Sequence, residues 1–158
     1  MTRLPHAAII SLPDPGAVLP PHHRIVGVGL DVVDLDEVGA SLERFGSRYA
    51  ERVFSDRERR YCAARSEPLV ELAARYAVKE GVFKALGAVD PQPDWRHIET
   101  LGAANEWHRP VLSGRAARYA RDLGASWVLA GISSDDRLAG VLVLAVGGDP
   151  PPVSPHPA

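Results

Sequence analysis

The chain has 158 residues, of which 46% are hydrophobic and 24% are charged, so it is long and apolar enough for one globular domain with its own core. A net charge of −2 excludes the overall positive field expected of a nucleic-acid-binding protein. The single cysteine excludes an internal disulfide and favours a reducing compartment. We find no apolar run long enough to span a membrane and no signal-peptide pattern, so we expect a cytoplasmic protein.

The two ends of the chain are rich in proline and lack hydrophobic periodicity. We therefore predict disordered extensions over residues 1–24 and 148–158, on either side of one domain over residues 25–147.

The predicted domain opens with a strand over residues 25–33, in which Gly27, Gly29 and then Asp31 share one face. Because two glycines remove side-chain bulk ahead of a carboxylate, another backbone or a ligand can approach this strand closely. The third glycine of a dinucleotide-binding fingerprint is absent, which excludes that kind of site.

Next, apolar residues at helical spacing predict an amphipathic helix with an interruption near Gly46. Residues 25–43 carry five acids and no base, whereas residues 44–65 carry seven arginines and three acids. Three of the arginines recur at four-residue intervals: Arg44, Arg48 and Arg52. This stripe is either a solvated face or a docking strip for an acidic partner, since the arginine fork suits carboxylates and phosphates. A capping-box pattern from Ser55 to Glu58 then predicts a short helix.

The longest predicted helix covers residues 68–86 and carries Glu80 in the middle of its apolar stripe. Both lysines of the chain, Lys79 and Lys84, flank this carboxylate, whereas all other cationic side chains are arginines. Burying an unpaired carboxylate costs several kcal/mol, so its position indicates a functional site. The alternative is an ordinary surface ion pair between Glu80 and Lys84, four residues apart.

The remaining elements are shorter. We predict a strand, a hairpin turn, a short strand, a helix and two apolar strands, over residues 95–101, 105–110, 111–112, 113–123, 126–132 and 138–146 respectively.

Asp31 and Glu80 together suit a magnesium site, because Mg²⁺ takes one or two carboxylates and completes its shell with water and substrate phosphates. Arg75, Lys79 and Lys84 would neutralise the remaining phosphate charge. Zinc, serine-hydrolase and Walker-type sites are excluded because their ligand spacing, nucleophile elbow and phosphate loop are missing. A glycosidase carboxylate pair and an unrelated carboxylate-dependent phosphotransfer or hydrolysis enzyme stay open.

Three segments resemble a known family: GVGLDVVDLDEV from Gly27, RYAERVFSDRERRY from Arg48 and LAARYAVKEGVFKALG from Leu72. They resemble the 4′-phosphopantetheinyl transferases, in the small trimeric branch of the holo-acyl-carrier-protein synthases. In that branch a strand ends in Gly-x-Asp, and a helix carries Lys-Glu with a second Lys four residues after the Glu. The resemblance extends from about residue 25 to residue 146.

The resemblance implies an α+β fold, with antiparallel strands packed around a long central helix, and a homotrimer that shares its active sites. It also implies Mg²⁺-dependent transfer of 4′-phosphopantetheine from coenzyme A to a serine of an apo acyl-carrier protein, with release of adenosine 3′,5′-bisphosphate. Asp31 and Glu80 would match the metal ligands, and Glu80 would help to deprotonate the serine.

The resemblance assigns further roles to the cationic side chains. Lys84 would join the two carboxylates in catalysis, and Arg75, Lys79 and Lys84 would hold the phosphates of coenzyme A. An acidic helix of the carrier would dock on the arginines already noted: Arg44, Arg48 and Arg52.

Two positions depart from the family pattern. Ser134 replaces a histidine that lies near the coenzyme A phosphates, and Glu37 occupies a position where the family tends to have an arginine. A serine donates one hydrogen bond but supplies no cation, and a glutamate repels an acidic partner. An active transferase and a catalytically impaired relative that binds a carrier protein or coenzyme A without transfer therefore both remain open.

Overall fold

The computed structural model describes Leu19, Pro21 and residues 23–89, 93–102 and 106–150. Most of the two predicted proline-rich extensions lies outside these residues, and the predicted domain boundaries stay a prediction. Within the described part, the strands and helices are, in order, β1 (Arg24–Asp34), α1 (Leu35–Phe45), α2 (Ser47–Val53), α3 (Asp56–Ala63), α4 (Pro68–Ala85), β2 (Ile98–Glu99), β3 (Trp107–His108), β4 (Val111–Leu112), α5 (Gly114–Leu123), β5 (Trp127–Ser134) and β6 (Leu138–Gly147).

The strands form two antiparallel sheets. The larger has the order β1-β6-β5-β3, and the smaller pairs β2 with β4. Helix α4 packs across one face of the larger sheet and supplies much of the apolar core. The predicted α+β class, with antiparallel strands around a long central helix, is confirmed.

The backbone of α4 lies almost directly on β1, and two glycines allow this. A Cβ atom at Gly29 would lie 2.0 Å from the carbonyl oxygen of Gly81, and one at Gly27 would lie 2.0 Å from that of Ala85. Real side chains do not tolerate such distances, so these positions of β1 require glycine. The close approach expected from the sequence is therefore made by a helix backbone, and it sets the helix beside the end of the strand that carries Asp31.

The strand predicted over residues 95–101 is confirmed only at Ile98 and Glu99, which form β2, and the hairpin turn predicted over residues 105–110 is wrong. Residues 95–97 form a 3₁₀ turn in place of a strand, because the Asp94 side chain accepts a hydrogen bond from the backbone N–H of Arg96 and caps it. In place of the hairpin turn predicted over residues 105–110, Trp107 and His108 pair with β5 as a short strand. The predicted interruption near Gly46 is real: α1 ends there, with a φ of 56° at the glycine.

The face of β1 opposite α4 is apolar and exposed. Val28, Leu30 and Val32 are 58%, 61% and 48% exposed, although they lie on the first strand of the main sheet. The adjacent residues of β6 on this face, Leu142 and Leu144, are also apolar and pair with Leu30 and Val28. None of the described helices is both long and apolar enough to cross a membrane.

Candidate active site

A cavity of about 420 Å³ lies where β1, the start of α1 and α4 meet. Asp31 from β1 and Glu80 from α4 both line it, with the hydroxyl-bearing side chains of Tyr49 and Tyr76. Glu80 also lines a second cavity of about 480 Å³, whose wall is mainly apolar and includes Trp95. The fold therefore brings both predicted metal ligands to one cavity, and Glu80 lines both cavities.

Lys84 pairs with Asp31 in preference to Glu80. Its ammonium nitrogen lies 2.7 Å from Asp31 Oδ1 and 3.3 Å from the carbonyl oxygen of Leu30. No ion pair within 4.0 Å joins Lys84 to Glu80 in the described chain, so the ordinary surface pair considered from the sequence is not what forms. The Lys84 side chain is 51% exposed, which leaves its ammonium accessible to a ligand in the neighbouring cavity.

Glu80 takes its hydrogen bond from a tyrosine. The Tyr76 hydroxyl donates to Glu80 Oε1 over 3.1 Å, from one helical turn earlier on α4. Burial, followed by the negative charge of Glu80, raises the pKa of the Tyr76 hydroxyl above its ordinary value of 10.0. The same two causes raise the pKa of Tyr49. Both hydroxyls therefore stay protonated near neutral pH and are available as donors beside the carboxylate.

Lys79 was predicted to hold a phosphate, but it is buried and already paired. Its ammonium is fully buried and donates to both oxygens of Glu58, at 3.1 and 2.8 Å, and to the backbone carbonyls of Trp95 and Ile98. Burial lowers the pKa of this ammonium, and the Glu58 carboxylate opposes that shift. Lys79 therefore ties α3 and the segment around Trp95 to α4, away from either cavity at Glu80.

Arg75 is corrected for the same reason. It is 1% exposed, and its guanidinium donates to the Glu71 carboxylate at 2.6 Å and to the carbonyl oxygen of Gly102 at 2.6 Å. The ring of Tyr61 lies 4.7 Å away beneath it. With the Glu71 carboxylate, the carbonyl oxygens of Glu71 and Gly102 and an aromatic face already in place, this guanidinium supports the fold and does not face the cavities.

The three arginines of the predicted docking strip are exposed, but they do not share one helix. Arg44 belongs to α1, whereas Arg48 and Arg52 belong to α2, because the chain turns at Gly46. Within the described ranges, none of the three forms an ion pair with a carboxylate, so their charges are available to a partner.

The two departures from the family pattern occupy different places. Glu37 is exposed on α1 and lines the same cavity as Asp31 and Glu80. Ser134 ends β5, pairs with Ala139, and lines neither of the two cavities at Glu80.

The carboxylates fit a hard divalent cation. The described residues contain no group of three or more His, Cys, Asp or Glu side chains placed to hold a metal. Mg²⁺ does not require one, because it is commonly held by one or two carboxylates together with water and substrate phosphates. Asp31 and Glu80 on one cavity wall are such a donor set, and each has one carboxylate oxygen that accepts no hydrogen bond from a described residue.

Two side-chain contacts of α4 are not predicted from the sequence. Tyr76 lies on the same stripe of the predicted helix, and its position one turn before Glu80 is the signal that its hydroxyl reaches the carboxylate. Glu58 was assigned only a capping role, which it does fulfil, since its carboxylate accepts from the Ser55 N–H at 2.9 Å. Its second role, as the buried partner of Lys79, carries no local signal because the two lie 21 residues apart.

Comparison with known proteins identifies the family of this chain. The family model described as the 4′-phosphopantetheinyl transferase superfamily matches residues 27–130. The chain belongs to this superfamily. Among curated relatives of this transferase chain, the holo-[acyl-carrier-protein] synthase of Desulforudis audaxviator is 36% identical over 123 residues, which cover 78% of this chain and 94% of the relative. That of Moorella thermoacetica is 34% identical over 116 residues, covering 73% and 90%.

Solved structures of other phosphopantetheinyl transferases share the fold. A coenzyme A complex of the synthase from Chronobacterium ammoniagenes is 29% identical, covers 78% of this chain and 97% of its own, and has a TM-score of 0.64. The synthase of Neisseria meningitidis, at 24% identity, covers 77% of this chain and 98% of its own with a TM-score of 0.68, which supports the fold alone.

Proposed function

We propose that this phosphopantetheinyl transferase moves 4′-phosphopantetheine from coenzyme A to a serine hydroxyl of an apo acyl-carrier protein and releases adenosine 3′,5′-bisphosphate. The observation that carries the proposal is the meeting of Asp31, Glu80 and Lys84 at one cavity system in a chain of this family. Asp31 and Glu80 would hold Mg²⁺, which would neutralise charge on the pyrophosphate of coenzyme A and make its phosphorus more electrophilic.

The chain's own residues then have separate tasks. Glu80, which lines both cavities, would take the proton from the carrier serine through the carboxylate oxygen that does not bind the cation, as the serine oxygen attacks phosphorus. The exposed ammonium of Lys84 would stabilise the negative charge that develops on the phosphate oxygens. Asp31 keeps that ammonium in place through its 2.7 Å contact.

The test is incubation of the full chain with coenzyme A, Mg²⁺ and an apo carrier protein, followed by mass spectrometry of the carrier. We expect the mass of one phosphopantetheine group on the carrier, and none when EDTA is present.

A second candidate, a relative that binds coenzyme A or a carrier without transfer, is favoured by Glu37 and Ser134. Binding of coenzyme A without any adduct on several carriers would select it.

Exposed apolar side chains on β1 support self-association of the chain, and the family resemblance suggests three copies. Val28, Leu30 and Val32 would be an aggregation liability on an isolated first strand, and they continue into the apolar residues of β6. We propose that two further copies of this chain cover this face. Ser134, which lines neither cavity of its own chain, would then contact coenzyme A bound by a neighbouring copy.

A Leu30→Lys substitution tests the assembly. We expect light scattering after size exclusion to give three times the monomer mass for the wild type and the monomer mass for the variant, because a charge cannot be buried unpaired in that contact. Transfer should fall with the loss of assembly. Asp136→Lys, on the exposed loop after β5, is the matched control and should stay trimeric. A monomeric wild type would contradict the proposal.

The unpaired arginines support docking of an acidic carrier. We propose that Arg44, Arg48 and Arg52 bind its acidic helix, while the carrier serine enters the cavity beside Glu37.

Glu37→Arg tests this docking, because it replaces a repulsive carboxylate at the cavity with an attractive guanidinium. With a generic acidic carrier we expect kcat/KM to rise by about 10-fold, as one like-charge contact of about 1.4 kcal/mol is removed. Asp122→Arg makes the same charge change on α5, outside the cavity, and should have a much smaller effect. Equal effects of the two substitutions would show that only the net charge matters.

A further inference from the structure

Tyr76 has a polar atom in contact with the reaction site that none of the roles above uses. We propose that Tyr76 is a positioning residue: its hydroxyl holds Glu80 by one carboxylate oxygen and so presents the other oxygen to the divalent cation. This inference rests on the proposed function, because it concerns how the same carboxylate is oriented.

The first support is the contact itself. The Tyr76 hydroxyl donates to Oε1 over 3.1 Å, and within the described chain no donor reaches Oε2. Tyr76 and Glu80 line the same cavity as Asp31. A carboxylate fixed through one oxygen has one free oxygen in a defined direction, which suits Mg²⁺ because this ion demands near-ideal octahedral geometry.

The second support is that the tyrosine ring is itself held. Its centroid lies 5.7 Å from that of Trp95, and Trp95 in turn packs edge-on against Phe83 at 5.4 Å. The backbone carbonyl of Trp95 accepts a hydrogen bond from the buried Lys79 at 3.1 Å. The hydroxyl is therefore aimed at Glu80 by a packed set of groups, as is typical of residues that orient metal ligands.

The third support is that the Tyr76 hydroxyl competes with Lys84 for the Glu80 carboxylate. Glu80 has Tyr76 one turn before it and Lys84 one turn after it, so its carboxylate can swing either way along α4. If the Glu80 carboxylate paired with Lys84, the lysine would lose its present 2.7 Å contact with Asp31. The hydroxyl of Tyr76 thus keeps Glu80 and Asp31 available to the cation and Lys84 available to phosphate.

The test is Tyr76→Phe, which removes only the hydroxyl. Mg²⁺ is titrated calorimetrically into the full chain with coenzyme A present, and transfer is measured across Mg²⁺ concentrations. We expect the Kd for Mg²⁺ to rise by about 10-fold to 100-fold, with the Mg²⁺ needed for half-maximal transfer rising in parallel. At saturating Mg²⁺, kcat should recover towards the wild-type value, a split that a merely structural role would not produce.

Tyr119→Phe is the control, since Tyr119 packs against the core from α5, outside both cavities. It should leave Mg²⁺ affinity unchanged. If Tyr76→Phe lowers the melting temperature strongly, Tyr76→Met, which also lacks the hydroxyl, is titrated instead. Unchanged Mg²⁺ affinity in a folded variant lacking this hydroxyl overturns the proposal. A wild type that binds Mg²⁺ but modifies no carrier would instead overturn the proposed function, and the Mg²⁺ titration would still test Tyr76.

Discussion

Replacing Asp31 with Asn, or Glu80 with Gln, should lower kcat for phosphopantetheine transfer by about 1,000-fold or more. An amide has the shape of the carboxylate but is a poor ligand for Mg²⁺, and loss of the cation removes several kcal/mol of charge stabilisation, of which about 4 kcal/mol corresponds to that factor. Glu80→Gln also removes the proton acceptor. The measurement is the rate of adduct formation on a carrier protein, followed by mass spectrometry in quenched samples.

The fold should survive both substitutions. The Asp31–Lys84 pair is half exposed on the lysine side, and such pairs contribute little to stability. We therefore expect melting temperatures close to that of the wild type. Glu43→Gln removes a carboxylate from α1 outside the cavity and should leave kcat unchanged. Wild-type rates in both Asp31→Asn and Glu80→Gln would end the assignment of these residues as metal ligands.

Glu58→Gln should produce the largest loss of stability. Its carboxylate is fully buried, accepts two hydrogen bonds from the Lys79 ammonium, and also accepts from the N–H of Thr100 and of Ser55. Removing its charge leaves the lysine charge buried without a counter-charge, which costs about 3–5 kcal/mol. In a chain of this size we expect a fall in melting temperature of about 10 °C or more, measured by calorimetry or circular dichroism.

The double variant Glu58→Gln with Lys79→Met separates lost charge pairing from lost packing. Because it also removes the stranded lysine charge, it should recover much of the stability. Glu51→Gln, which breaks only an exposed 3.9 Å pair with Arg59, should leave the melting temperature within about 2 °C. A Glu58→Gln variant as stable as the wild type would show that the buried pair is not a net contributor.

Local patterns in the sequence were sufficient for the elements whose signals are contiguous. The capping box at Ser55 is formed in both directions, and α4 spans residues 68–85 against the predicted 68–86. The segment around Trp95 was misjudged because a short run of alternating residues does not reveal that Asp94 will cap a turn. Trp107 and His108 form a strand only because β5 offers them an edge, which is a long-range contact.

The same division holds for the site. By itself the sequence determined that Asp31 follows two glycines and that Glu80 interrupts an apolar face, because strand and helix periodicities are properties of neighbouring residues. Only the tertiary structure decided which lysine forms an ion pair with one of these carboxylates. Lys79 lies beside Glu80 in sequence, yet helix geometry turns consecutive side chains about 100° apart and sends it into the core toward Glu58, whereas Lys84 reaches Asp31 across the glycine-lined contact of α4 with β1. The periodicity gives a side chain's direction on its own element, but its partner depends on which element packs there.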